Sequence, residues 1–496
     1  MIINKQVVNG TPKYPGHSGS TLVVSYVDKE GEIKQMTYDI PQDQMFNWEY
    51  ARSKNDRFAD QTWRSWDNKP IKKVPTKSLS DYRIAEMLCS FGKYVEPLYE
   101  NNFGRIAFVD IETDVTDNGF PEAITAENMV NTIAVCENWS NHIKVFARKD
   151  LKRFEIESIV KKIADHTKRF ANYTFEFIYK QNEADMLLSF FTYIKDIPFI
   201  SGWNFLGYDW LYLCNRCDNL GIDVRFISPT GQFYSFGVDN KSGKINVKLP
   251  YHKLVFDYLM VYKKWDYAVK YKESNTLDWV AEQVLGTKKV EHKLGFKEFY
   301  EKEYEDYVFY NAIDVVLVNE IHKKLKTANI FTTVANTVHC NAMEAFSTIK
   351  PIETGLVSFL YQTHQVIPLV RNKKLPEDVD YEGAFVWPTI PDCYRYVCGL
   401  DFASLYPSIV RQFNISPETY LFKDKNHKRA ENEIMTSSGA VFTKDFRGLL
   451  PKFLDDYYAR RKEAKNVRKR VDTEMEYLKS ILEARKKGIT KEQFNK

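Results

Sequence analysis

Four apolar residues, Ile106-Ala107-Phe108-Val109, run directly into Asp110-Ile111-Glu112. An apolar run this short, without helical spacing, reads as a buried strand. Positions two apart on a strand share a face, so Asp110 and Glu112 project together from its end. Two carboxylates there repel each other unless something neutralises them, and a divalent cation is the usual solution. The plainer reading is a pair of solvated strand-end residues, and the pair alone does not choose between the two.

The flanking sequence gives this strand a setting. A second strand is expected over Thr132–Val135, and helix-like and strand-like segments alternate to about residue 326, the pattern of an α/β domain. Residues 1–99 mix Gly/Pro turns with short alternating stretches such as Thr21–Tyr26 and read as a small β-rich or mixed domain with no assigned chemistry. Val238–Lys244 reads as a hairpin turn between Gln232–Gly237 and Ile245–Leu249. A further strand is expected over Tyr394–Asp401. A helix is expected from Pro451 to Lys487, with Pro451 suiting its start and Gly488 its stop. Val467, Val471, Met475, Leu478 and Leu482 make an apolar stripe on that helix, with no partner helix of similar length after it.

At 496 residues the chain exceeds one ordinary core, so about two to four domains are expected. A net charge of +4 does not decide for or against a nucleic-acid partner, because basic residues can gather locally, here from Arg460 to Lys487. Aromatic residues, 15% of the chain, serve large cores or base stacking equally well. Cys214 and Cys217 form a lone CxxC without a second pair or a nearby His, so they read as buried or half-buried thiols on a helix. The odd total of seven cysteines points to a reducing compartment. No apolar run of about 18 residues occurs, and a soluble intracellular protein is expected.

Two more acidic motifs follow the strand pair. Asp209 comes after Gly202–Tyr208 and opens the apolar run Trp210–Leu213, where a helix N-cap is the plain reading. Tyr310 and Asp314 lie four apart in a segment, Glu303–Lys326, that reads as a helix, so they share one face. Strand Asp110-x-Glu112, then Asn204-x4-Asp209, then helical Tyr310-x3-Asp314 resemble, in this order, the three motifs of the DEDDy class of 3′→5′ exonucleases. The resemblance implies that Asp110, Glu112, Asp209 and Asp314 hold two Mg²⁺ or Mn²⁺ ions and that Tyr310 orients the attacking water. It gives Asn204 a supporting place on the DNA side of the site.

Downstream, Asp401-Phe402-Ala403-Ser404-Leu405-Tyr406-Pro407-Ser408-Ile409 resembles motif A of family B DNA polymerases. By that resemblance Asp401 is a ligand of the polymerase metals, while Leu405 and Tyr406 lie against the incoming nucleotide. Tyr381-Glu382-Gly383-Ala384 resembles the Y-x-G-G/A element of the family, which puts Tyr381 and Gly383 at DNA. Arg411–Thr419, RQFNISPET, is close to the phage enzymes, and the hairpin fits their strand-separating hairpin, although an ordinary turn explains it too. Arg461 and Lys465 share a helix face and would grip the triphosphate; a solvated basic face is the plain alternative.

Motif B and motif C of that family are not found, and Asp472-Thr473-Glu474 sits in the charged helix without strand context. The chain thus resembles the N-terminal part of a family B DNA polymerase of T-even-type bacteriophages. The fold expected is α/β and α+β multidomain: a mixed N-terminal domain (1–99), a ribonuclease H-like 3′→5′ exonuclease domain (100–326), a return segment of the N-terminal domain (327–374), a partial palm with motif A (375–449) and the start of helical fingers (450–496). The partners implied are a DNA primer-template, dNTPs, a sliding clamp and, for a naturally split polymerase as against a truncated product, a second polypeptide carrying the rest of palm, fingers and thumb, in the host cytoplasm and with no membrane. Two other readings are a stand-alone DEDDy exonuclease with motif A as a relic, and a non-catalytic primer-template or RNA-binding scaffold.

Overall fold

The apolar run at Ile106 becomes the strand Ile106–Thr113, buried from Ile106 through Val109. In the computed structural model it lies inside a six-stranded sheet. The order is Thr174–Tyr179, His142–Ala147, Val130–Glu137, Ile106–Thr113, Phe199–Gly202, Leu254–Asp257. Val130–Glu137 is antiparallel to both its neighbours, and the remaining pairings are parallel. The structure describes residues 2–9, 19–92, 95, 98, 104–115, 121–166, 172–240, 243–266, 273–287, 294–370, 386–388, 390–402 and 404–486.

Two features fix the middle of this sheet. At Gly202 the chain passes so close to the central strand that a Cβ would stand 2.3 Å from the Val109 carbonyl oxygen. The long helix Tyr304–Leu325 packs on Val130–Glu137 and Ile106–Thr113, and every residue from Tyr307 to His322 is buried. A helix apolar on nearly all sides belongs inside a core. Here that burial carries Asp314 in with it.

Ahead of the sheet, Ile2–Asn9, Ser20–Val27 and Ile33–Ile40 form an antiparallel three-stranded sheet. Its strands are not a separate body. Ile3 and Val27 belong to the same buried cluster as Ile106 and Phe108. One compact unit therefore comprises Met1–Asn47 with Val74–Tyr361, and the other Trp48–Lys73 with Gln362–Lys496. These units cut the chain differently from the expected boundaries at 99, 326 and 374. In the second unit Gln365–Val366 pairs beside Arg64–Ser65, a contact distant in sequence.

The hairpin between the second and third acidic motifs pairs Phe233–Asn240 with Gly243–Pro250, so its strands reach further toward each other than expected, to Asn240 opposite Gly243. Cys214 and Cys217 are free thiols buried on the helix Asp209–Asn219.

The second unit contains a three-stranded sheet, Tyr420–Lys423, Ala440–Thr443, Glu433–Met435, and the helices Leu405–Gln412 and Leu449–Lys486. The RQFNISPET segment builds the start of the long helix. Asn414, with φ 55°, donates to the Thr443 and Phe446 carbonyls and accepts from the Gly448 N–H, while Glu418 accepts from the Leu449 N–H. Pro451 falls in the first turn of that helix. The expected strand over Tyr394–Asp401 is not formed: these residues are irregular and exposed, and no described strand pairs with them. A strand needs a hydrogen-bonded neighbour, which local sequence alone does not supply. The stripe Val467, Val471, Met475, Leu478 and Leu482 is exposed. Among the described residues no helix is long and apolar enough to cross a membrane.

Candidate active site

Three carboxylates meet where the central strand ends. Asp110 and Glu112 come from one face of Ile106–Thr113, and Asp314 comes from the long helix packed against that face. One oxygen from each lies within 4.8 Å of the others. Glu112 and Asp314 are buried, 7% and 3% exposed, and Asp110 is half-buried. Gathering acids at this depth is costly without a compensating positive charge. Their hard oxygen donors suit Mg²⁺ or Mn²⁺.

Asp209 reaches the same strand from the turn that follows Phe199–Gly202. It is the first residue of the helix Asp209–Asn219, after Tyr208 at the cap position. Its side chain does not cap that helix; Oδ1 accepts the Ile111 N–H at 3.2 Å. Burial, and then the charge of Asp110, push its pKa well above its ordinary value. Neighbouring phenols feel the same field. Burial drives Tyr208 up to about 12, and the charges of Asp209, Glu112 and Asp110 add to it. Burial and then Glu112 raise Tyr307 well above its usual range.

Tyr310 is buried one helical turn before Asp314, its ring edge-on to Phe296 and Phe299 at 6.0 and 6.2 Å. Asn204 is exposed, with φ 61°, and its carbonyl accepts the N–H groups of Gly207 and Tyr208, both at 3.1 Å. It shapes the turn that delivers Asp209.

Two residues that sequence reasoning passed over belong here. Asn311 Nδ2 donates to Asp110 Oδ2 at 2.7 Å, tying the long helix to the strand. Asn311 stands three before Asp314, a same-face spacing that could have marked it. Asp257 ends the short strand Leu254–Asp257, as Asp110 ends the apolar run Ile106–Val109, and is taken up below.

The second set of predicted residues lies in the other compact unit. Asp401 is exposed, and Leu405 and Tyr406, 42% and 76% exposed, begin the helix Leu405–Gln412. The Arg461 guanidinium donates to the Ser404 hydroxyl at 3.1 Å, which brings the basic helix back to the motif A turn. Lys465 is exposed one turn further along. Tyr381 and Gly383 lie outside the described residues.

The sheet and its acidic end define the class: a ribonuclease H-like domain with a cluster of carboxylates at the end of its sheet. Residues 57–278 match the family model described as DNA polymerase family B, exonuclease domain, and residues 336–489 match DNA polymerase family B. The chain belongs to DNA polymerase family B and carries the family's exonuclease domain and part of its palm. It is 27% identical over 410 residues to the DNA-directed DNA polymerase of Escherichia phage RB69, covering 78% of this chain and 44% of that one. With the DNA-directed DNA polymerase of Enterobacteria phage T4 it shares 26% over 430 residues, 82% of this chain and 46% of that one. The DNA polymerase delta catalytic subunit of Caenorhabditis elegans is 29% identical over 310 residues, 58% of this chain and 28% of the other. The chain thus spans less than half the length of these relatives.

Proposed function

We propose that this chain removes nucleotides one at a time from the 3′ end of DNA, as the proofreading part of a replicative DNA polymerase. The observation that carries the reading is the convergence of Asp110, Glu112 and Asp314 within 4.8 Å at the end of the sheet, with Asp209 bonded to the same strand. Asp110, Glu112, Asp209 and Asp314 would hold two Mg²⁺ or Mn²⁺ ions. Such ions, when bound, make water a better nucleophile and stabilise the departing oxygen. Asn311 keeps the Asp110 carboxylate aimed, and Tyr310 orients the water toward phosphorus. Water adds its oxygen to the terminal phosphate, the bond to the penultimate 3′ oxygen breaks, and a nucleoside 5′-monophosphate leaves. Asn204 supports the site on the DNA side.

For synthesis, Asp401 would be a ligand of the polymerase metals, with the Leu405 backbone against the triphosphate and Tyr406 under the sugar of the incoming nucleotide. Arg461 and Lys465 would hold its triphosphate, Arg by paired hydrogen bonds and Lys as a point charge. Tyr381 and Gly383 would contact DNA. Motifs B and C are not among the 496 residues, so nucleotide addition needs residues from further polypeptide, whether continuous with this chain or separate.

The test is a gel assay on a 5′-labelled primer-template with a mismatched 3′ end, in Mg²⁺, with and without dNTPs, beside Asp110→Ala. Shortening that dNTPs do not reverse and that Asp110→Ala abolishes is the expected result. Equal shortening by parent and Asp110→Ala would overturn the site, and extension by the chain alone would overturn its dependence on further residues.

A further inference from the structure

Asp257 ends the edge strand Leu254–Asp257 and is 2% exposed, a buried carboxylate with no part in the chemistry above. Its register partner is Gly202, the last residue of the neighbouring strand, from which the chain turns through residues 203–208 into Asp209. Asp257 Oδ2 accepts the Leu206 N–H at 3.2 Å. Oδ1 accepts the Leu259 N–H at 2.8 Å and so caps the helix Tyr258–Trp265. The backbone N–H groups of Asn204 and Met260 also bond to this carboxylate.

One buried anion is thus tied to both ends of the Asn204–Leu206 turn. A carboxylate suits the place, because it accepts several N–H bonds and offers no donor to compete with them. Those bonds oppose the cost of burial, which lifts its pKa to about 6. At the far end of the same turn Asp209 reaches the Ile111 N–H. The pairing of Phe199–Gly202 with the central strand runs only to Ser201 opposite Phe108, so Ile111 lies past its end and Asp209 takes that donor.

We infer that Asp257 is a positioning residue for Asp209: by anchoring the Asn204–Leu206 turn to the sheet, it sets where the Asp209 carboxylate stands beside Asp110, Glu112 and Asp314. The inference rests on the reading of that cluster as the nuclease site.

Asp257→Ser in the full chain separates the two jobs of the side chain. Serine is a good helix cap and keeps the bond to Leu259, but it has no second oxygen for Leu206. The measurements are thermal midpoint, amide hydrogen exchange at Ile111 and Leu206, Mn²⁺ binding by calorimetry, and kcat and KM for excision of single-stranded DNA. The expected result is a midpoint close to the parent's with exchange at Ile111 and Leu206 faster by about tenfold, Mn²⁺ bound about tenfold more weakly, and kcat down by about tenfold at unchanged KM. If Asp257→Ser does not fold, Asp257→Asn, which keeps the shape and turns one acceptor into a donor, is read by the same measurements. Exchange at Ile111 unchanged in a folded variant overturns the inference, and so does unfolding of both variants, which would make Asp257 a determinant of the fold alone. A parent that binds Mn²⁺ no better than Asp110→Ala would instead overturn the reading of the cluster, and exchange at Ile111 would still decide whether Asp257 holds Asp209.

Discussion

Asn311 stands next to Tyr310 in sequence, but its hydrogen bond goes to Asp110, 201 positions away. Replacing it with Ala removes this bond to the Asp110 carboxylate and leaves the carboxylate itself in place. Excision should fall by about tenfold, with single-stranded DNA affinity retained, when kcat and Kd are measured on the same preparation. Asp314→Ala removes an oxygen donor from the cluster itself, so no excision should be detectable while DNA binding survives; a nuclease gel and a binding isotherm check both. Tyr310→Phe takes away one hydroxyl and leaves the ring on Phe296 and Phe299, so its loss should be smaller than that of Asp314→Ala in the same gel. At this scale the candidate carboxylates were legible, because a spacing of two on a strand or four on a helix says which side chains share a face. Asn311 and Asp257 escaped because an isolated Asn on a helix and an isolated Asp after an apolar run each have a plain explanation.

Elements place these side chains through close backbone contacts. At Gly202 two strands approach so tightly that a single added methyl meets the Val109 carbonyl oxygen at 2.3 Å. Gly202→Ala should cost about 1–3 kcal/mol, as overpacking does, and should lower excision as well, because the displaced strand leads into Asp209; denaturant midpoint and kcat report the two effects. Lys253 works at the other end of this layer. Its buried ammonium donates to the carbonyls of Ile194, Lys195 and Ile197, closing the end of the helix Glu183–Ile194. A donor at a helix C-terminus is favourably placed, and Lys253→Met would remove it from all three carbonyls, leaving Ile194 with only the Ile197 N–H. A loss of about 2 kcal/mol or more is expected in a urea melt. The strand at Ile106, the helix at Tyr304 and the hairpin were readable from their patterns, and their ends moved by a few residues. The segment Tyr394–Asp401 shows the limit: its pattern suits a strand, but no described neighbour pairs with it.

For the whole molecule, the buried imidazole of His322 ties stability to pH. It is 6% exposed, against Phe108 and Tyr258, and burial lowers its pKa from 6.5 to about 4, with Lys323 and Lys326 adding to the shift. Between these two values the unfolded chain takes up a proton that the folded chain refuses. Acid therefore favours unfolding: stability is full above about pH 6.5 and falls as pH drops toward 4, by about 3 kcal/mol from this residue. Urea midpoints at pH 4.5 and 7.5 should differ less in His322→Gln than in the parent.

Local pattern was enough to determine which residues are acidic, which face of its own element each occupies and which motifs the chain carries, because periodicity is a property of neighbouring backbone. It could not determine that Asp110, Glu112 and Asp314 converge, that Asp209 bonds to Ile111 instead of capping its own helix, or that Ile3 shares a core with Phe108. Those facts depend on the order of strands in the sheet and on one helix packing across it. They join residues about a hundred or more positions apart, whose proximity is settled only when the whole core is buried at once.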